Sequence, residues 1–189
     1  LEIKNLMPSF KKEEHRARST FSNKSDPKII LGVDPGLATT GFGVINADKY
    51  RQSLVGYGCI QTKPNSPHAQ RLKQIKDKLT KIITKYQPNA IAVEQLFFYN
   101  NAKTAFVVGE ARGVILLTAC ERRLPIYEYT PLQVKQAVST YGQASKLQVQ
   151  KMVKLLLRMK EIPKPDDAAD ALAIAICCAN SLPNQYRNK

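Results

Sequence analysis

Acidic residues are scarce in this chain, histidine is scarcer, and a long apolar run is missing. Only 15 Asp and Glu stand against 29 Lys and Arg, which leaves a formal net charge of +14 over 189 residues. Such an excess draws polyanions, with nucleic acid and anionic membrane surfaces as the leading partners. Of the two, the charge favours nucleic acid. No stretch is long and apolar enough to cross a bilayer, and no signal-peptide core opens the chain. The 2 His and the 4 cysteines (Cys59, Cys120, Cys177 and Cys178) include no CxxC pair, so the pattern of a structural zinc site is lacking. Cys177 and Cys178 fall inside an apolar helical run and read as small core residues, which suits a reducing, cytoplasmic compartment. Internal repeats and a second hydrophobic core are also missing, so the length argues for one domain.

What is present begins at Lys28. The segment before it, 1–27, is polar and poorly periodic and is expected to be a flexible arm, with DNA contact and a plain extension both open. It starts with Leu, so Met7 is a candidate natural start, and Glu13 and Glu14 speak against a transit peptide. "KIILGVD" is a short aliphatic and β-branched run stopped by Pro35-Gly36, hence a strand and a turn. "TGFGVINA" and "LVGYGCIQT" predict two more strands, antiparallel neighbours of the first. Leu72, Ile75, Leu79, Ile82 and Ile83 recur at helical spacing with lysines on the other face, and Pro88 ends that helix. "NAIAVEQL" predicts a fourth strand. A long helix follows, with Asn100 or Asn101 as its cap and Gly109 and Gly113 one turn apart, where either intramolecular packing or a dimer contact is open. "LPIYEYT" is a fifth strand, Pro131 opens a helix, "SKLQVQKMVKLLLRMK" is amphipathic, and "DDAADALAIAICCA" is apolar with acids at its start. The expected order is β-β-β-α-β-α-β-α-α: one α/β domain over 28–180 with a mixed five-stranded sheet flanked by helices, and a tail over 181–189.

Four carboxylates occupy places that folding alone would not choose. Asp34 ends the first strand, Glu94 follows the apolar "AIAV", and Asp167 and Asp170 share one face of the last helix at i,i+3. Asp166 is rotated away from Asp167 and reads as a cap or a bystander. Singly, each acid has a plain reading: a turn residue, a lysine partner, an N-cap, or a first-turn acid favoured by the helix dipole. Brought together they would repel one another and lose hydration, which a hard divalent cation relieves. Oxygen ligands indicate Mg²⁺, with Mn²⁺ as a substitute, and two such ions activate water and stabilise the leaving oxygen of a phosphodiester.

"ILGVDPGLATTGFGVI", "AIAVEQLFF", "EARGV", "VKQAV", "SKLQVQKMV" and "DDAADALAIAI" resemble, in order and spacing, the RuvC family of bacterial Holliday-junction resolvases, from about Lys28 to Asn180. The resemblance implies an RNase H-like fold and a homodimer that nicks a four-way DNA junction symmetrically with Mg²⁺, leaving 5′-phosphate and 3′-hydroxyl ends. It also implies a RuvA–RuvB branch-migration complex as partner. It makes Asp34, Glu94, Asp167 and Asp170 the metal-binding catalytic acids, places the aromatic Phe97 near the crossover, and sets Lys135 and Lys146 beside the scissile phosphate. The residues themselves add that Phe97 and Phe98 follow an acid at a strand end, where a ring can stack on an unpaired base or join the core. Lys135 and Lys146, and more weakly Lys151 and Lys154, can hold phosphates or form a solvated helix face. The rivals are an actin-like ATPase, which needs two domains, an RNase H or rRNA-processing nuclease on the same fold, and a catalytically silent junction binder.

Overall fold

The computed structural model describes residues 28–48, 51–95, 102–139 and 142–182, with the backbone alone for 102–104. The expected arm over 1–27, most of the tail, Phe97, Phe98, Asn100 and Asn101 lie outside the described residues. The strands are β1 (Lys28–Asp34), β2 (Thr39–Ala47), β3 (Gln52–Gln61), β4 (Ala90–Glu94) and β5 (Ile126–Tyr129). The helices are α1 (His68–Tyr86), α2 (Ala102–Glu121), α3 (Pro131–Ser139), α4 (Lys146–Leu156) and α5 (Asp166–Ser181). Three helices, rather than the two in the expected order, therefore follow β5. The break between α3 and α4 comes at Ser145, whose side chain accepts from Gln148 N–H while the Gln148 side chain accepts from Ser145 N–H, a capping box that starts a new helix.

The sheet order is β3-β2-β1-β4-β5. β1 pairs antiparallel with β2 and β2 with β3, as their short connections require, while β4 joins β1 and β5 joins β4 in parallel across helical crossovers. The mixed five-stranded sheet read from the sequence is the sheet observed. Strand alternation then divides the core. Leu31 and Val33 of β1 pack with Ile91 and Val93 of β4 against Ile75, Leu79 and Ile83 of α1 and Ala111, Ile115 and Ala119 of α2. Ile30 and Ala92 face the other way, against α3, α4 and the buried residues of α5, Cys177 and Cys178 among them. Each fully buried Ile or Leu contributes roughly 2 kcal/mol relative to exposure.

α5 lies so close to the sheet that glycine is needed beneath it. A Cβ at Gly32 would collide with the carbonyl of Ala171 and come within 2.7 Å of Ala175 N, and one at Gly41 would strike the carbonyl of Asp167. The glycines of β1 and β2 thus act as a seat for the helix backbone, and that seat sets where the first turn of α5 stands relative to the end of β1. Gly113 of α2 behaves differently: a Cβ there meets nothing within 4 Å, so packing inside the protomer is not its reason.

Candidate active site

Asp34 and Glu94 share a sheet face for the same reason that Ile30 and Ala92 do: each lies an even number of residues further along its strand. Parallel β1 and β4 end together. Their last paired residues are Val33 and Val93, so the two acids stand just past the ladder, side by side at the C-terminal edge of the sheet. From above, α5 brings Asp167 and Asp170 in its first two turns. The three carboxylates grouped with Asp34 from the sequence, those of Glu94, Asp170 and Asp167, are the ones whose charges act on it in the fold.

The electrostatics follow. Burial first, then the charges of Glu94, Asp170 and Asp167, push Asp34 up to about 8, with Lys146 acting the other way. Burial and Asp170 raise Glu94 to about 7, against the opposing pull of Lys135. Asp170 is raised by burial as well, although Lys146 hydrogen-bonds to it. In the metal-free protein these groups cannot all ionise cheaply at neutral pH, and that is the condition a divalent cation relieves. Oxygen-only donors of this kind fit a hard ion. Among the described residues, no three His, Cys, Asp or Glu side chains already stand close enough to enclose an ion.

Lys146 is placed against its own helix. It is the first residue of α4, where the backbone dipole disfavours a cation, yet its Nζ lies 3.0 Å from Asp170 and 3.5 Å from Asp166 on α5. The acids outweigh the dipole and burial, and the ammonium is held firmly protonated. Lys135, on α3, is close enough to act on Glu94. Both lysines therefore join the acids. Lys151 and Lys154 lie further along α4.

Asp166 is neither the cap nor a bystander. Pro165 holds the cap position, and Asp166 accepts from Gln150 Nε2 at 3.0 Å besides its ion pair with Lys146. It fixes α4 to α5 and so sets the lysine's approach. Cys59 on β3 is a second residue with no signal in the sequence: burial and the charge of Asp167 raise its thiol, and Ala168 N–H donates to it. A third, Arg112 on α2, donates to the Glu94 carbonyl. Their partners are distant in the chain, so no local pattern, not even "EARGV" around Arg112, shows what they hold.

Residues 30–178 match the family model described as crossover junction endodeoxyribonuclease RuvC. The protein of that name from Halothermothrix orenii is 57% identical over 153 residues, covering 81% of this chain and 93% of its own length. Among solved structures, Thermus thermophilus RuvC in complex with a Holliday junction substrate is 37% identical with a TM-score of 0.76, covering 80% of this chain and 93% of that one. The yeast mitochondrial Holliday junction resolvase Ydc2 shares the fold at 15% identity and a TM-score of 0.61. A match spanning both sheet and acids, with relatives above half identity over nearly their full length, places this chain in the RuvC family of crossover junction endodeoxyribonucleases.

Proposed function

We propose that this nuclease resolves four-way DNA junctions by paired, symmetric nicks, using Mg²⁺ held by Asp34, Glu94, Asp167 and Asp170. The observation that carries the reading is the convergence of these four acids from two strand ends and one helix, with Asp34 pushed up to about 8 by burial and repulsion in a chain of net charge +14. A silent binder gains nothing from repelling carboxylates beneath a polyanion. When bound, the metal supplies positive charge to the reacting phosphate and acidifies water.

The chain's own residues do the rest. The sheet holds Asp34 and Glu94 rigidly, and α5 sets Asp167 and Asp170 opposite them. Lys146 and Lys135 hold the phosphate and offset the negative charge that grows as water oxygen bonds to phosphorus and the bond to the 3′ oxygen breaks. The departing 3′ oxygen takes up a proton, leaving a 3′-hydroxyl and a 5′-phosphate. Phe97, outside the described residues, is the ring assigned to the crossover.

Paired nicking needs two sites, and α2 offers the surface for a homodimer. Phe106 and Leu117 are 69% and 55% exposed, with Gly113 open between them on one helix face. A RuvA–RuvB branch-migration complex belongs to the same family reading, as does a cytoplasmic site of action beside the DNA. Among the described residues, no helix is long and apolar enough to cross a membrane. We assign residues 28–180 to the nuclease domain.

The test is a synthetic junction able to branch-migrate, set beside an RNA–DNA hybrid. Mg²⁺-dependent paired cuts in the junction, abolished by Asp34→Asn with binding retained, are expected. Preference for the hybrid, or full activity of Asp34→Asn, overturns the assignment.

A further inference from the structure

Glu94, like Asp34, ends its strand. It stands past the last β1–β4 pair, and on its other side the Glu94–Tyr129 pair is the final one to β5, closed by Gln95 N–H donating to the Tyr129 carbonyl at 2.8 Å. The chain then enters 96–101, outside the described residues. That strand end has one more support.

That support comes from behind the sheet. Glu94 shares the α5 face with Ala92, whereas Val93 and Ile126 pack towards α2. By the same alternation Glu128 faces α2. Arg112 of α2 reaches this rear face with two donors: Nε donates to the Glu94 carbonyl at 3.2 Å, and Nη2 donates to Glu128 Oε1 at 2.6 Å. Its side chain is only 18% exposed. A guanidinium that far out of water is costly unless its donors are met, and here two neighbouring strands meet them. The planar fork makes both bonds at once, which a single ammonium on a flexible stem does not reproduce.

We infer that Arg112 is a positioning residue that fixes the end of β4 from the face opposite the acids and, through it, the Glu94 carboxylate. The inference rests on the reading of Glu94 as a metal ligand. Outer partners that orient metal ligands typically change affinity or rate by about 10- to 100-fold when lost. A plain staple between α2 and β5 would change stability alone.

The experiment compares the full chain with Arg112→Ala, Arg112→Lys and Glu128→Gln. Three quantities are read: the Mn²⁺ midpoint of the metal-induced rise in melting temperature, single-turnover cleavage against Mg²⁺ concentration, and junction binding in Ca²⁺. Both Arg112 variants should raise the Mn²⁺ midpoint about tenfold and slow cleavage at saturating Mg²⁺ by about 10- to 100-fold. Junction binding should stay within about twofold, because Arg112 touches the strand end and not the DNA. Glu128→Gln keeps the bond to the Glu94 carbonyl and should move the midpoint less than Arg112→Lys. A lower melting temperature with an unmoved Mn²⁺ midpoint overturns the inference. If Arg112→Ala does not fold, Arg112→Lys against Glu128→Gln decides the matter by the same midpoint. If the wild type fails to cut junctions, the functional reading falls, and the Mn²⁺ midpoints still judge Arg112.

Discussion

α2 and α5 are the two most apolar helices of the chain, and they meet opposite fates. α5 presses its backbone onto the glycines of β1 and β2 and buries nearly every residue from Ala168 to Cys178. Its exposed business is confined to the first two turns, where Asp167 and Asp170 complete the acid cluster. α2 buries Ala111, Ile115 and Ala119 and leaves Phe106, Gly113 and Leu117 to solvent. Equal hydrophobicity therefore does not mean equal roles. One helix finishes the interior and completes the acid cluster, while the other leaves an apolar face open, the face proposed above for a second copy, and reaches the back of the same cluster through Arg112.

The largest effect falls on the site that α5 completes. Asp34→Asn should slow junction cleavage by about 10³-fold, the scale of removing a group aimed at developing charge. Junction binding should survive, and gel-shift and cleavage assays read the two separately. Next comes the seat. Gly32→Val puts a branched side chain against the backbone of α5 at Ala171 and Ala175, and should cost about 3 kcal/mol or more in urea unfolding. On α2 the signs differ. Leu117→Glu should convert the dimer to a monomer by sedimentation while changing protomer stability by less than about 0.5 kcal/mol, since that side chain is exposed. Gly113→Ala, with open space around it, should stabilise the protomer by about 1 kcal/mol through helix propensity and still weaken the dimer. A dimer unmoved by both changes would take α2 out of the interface.

The last effect is one of pH. With folded values of about 8 for Asp34 and about 7 for Glu94, the metal-free protein holds protons that the unfolded chain releases near pH 4. The stability linked to those protons is full below that unfolded value and is lost as pH rises through about 7 and then about 8. Metal-free protein should thus melt clearly higher at about pH 5.5 than at about pH 8.5. Asp34→Asn should shrink the difference, and saturating Mg²⁺ should erase most of it. A melting temperature that climbs with pH in the metal-free wild type would contradict the crowding of these acids.

Much of this was legible in the residues. An acid closing an aliphatic run, as Asp34 does "KIILGV" and Glu94 does "AIAV", is a local signal, because a strand end exposes what the strand interior would reject. Asp167 and Asp170 were legible as a pair because helical geometry fixes i,i+3 neighbours. Lys146 was visible as a basic residue but not as one set against its helix dipole, and Asp166 looked like a cap until Gln150 and Lys146 were seen to hold it. Arg112 stood within "EARGV", but nothing local showed what it holds, since its partners lie 16 and 18 residues away on two other elements.

The sequence by itself determined the sheet strands and the apolar helices, because periodicity depends only on near neighbours, and its motifs in order and spacing carried the family resemblance and pointed to the four acids. Tertiary structure alone decided that α5 rests on glycine, that Lys146 turns toward Asp170, that α2 keeps an open face, and that Arg112 holds Glu94 from behind. Those outcomes rest on contacts between elements distant in the chain, and only packing brings them within bonding distance.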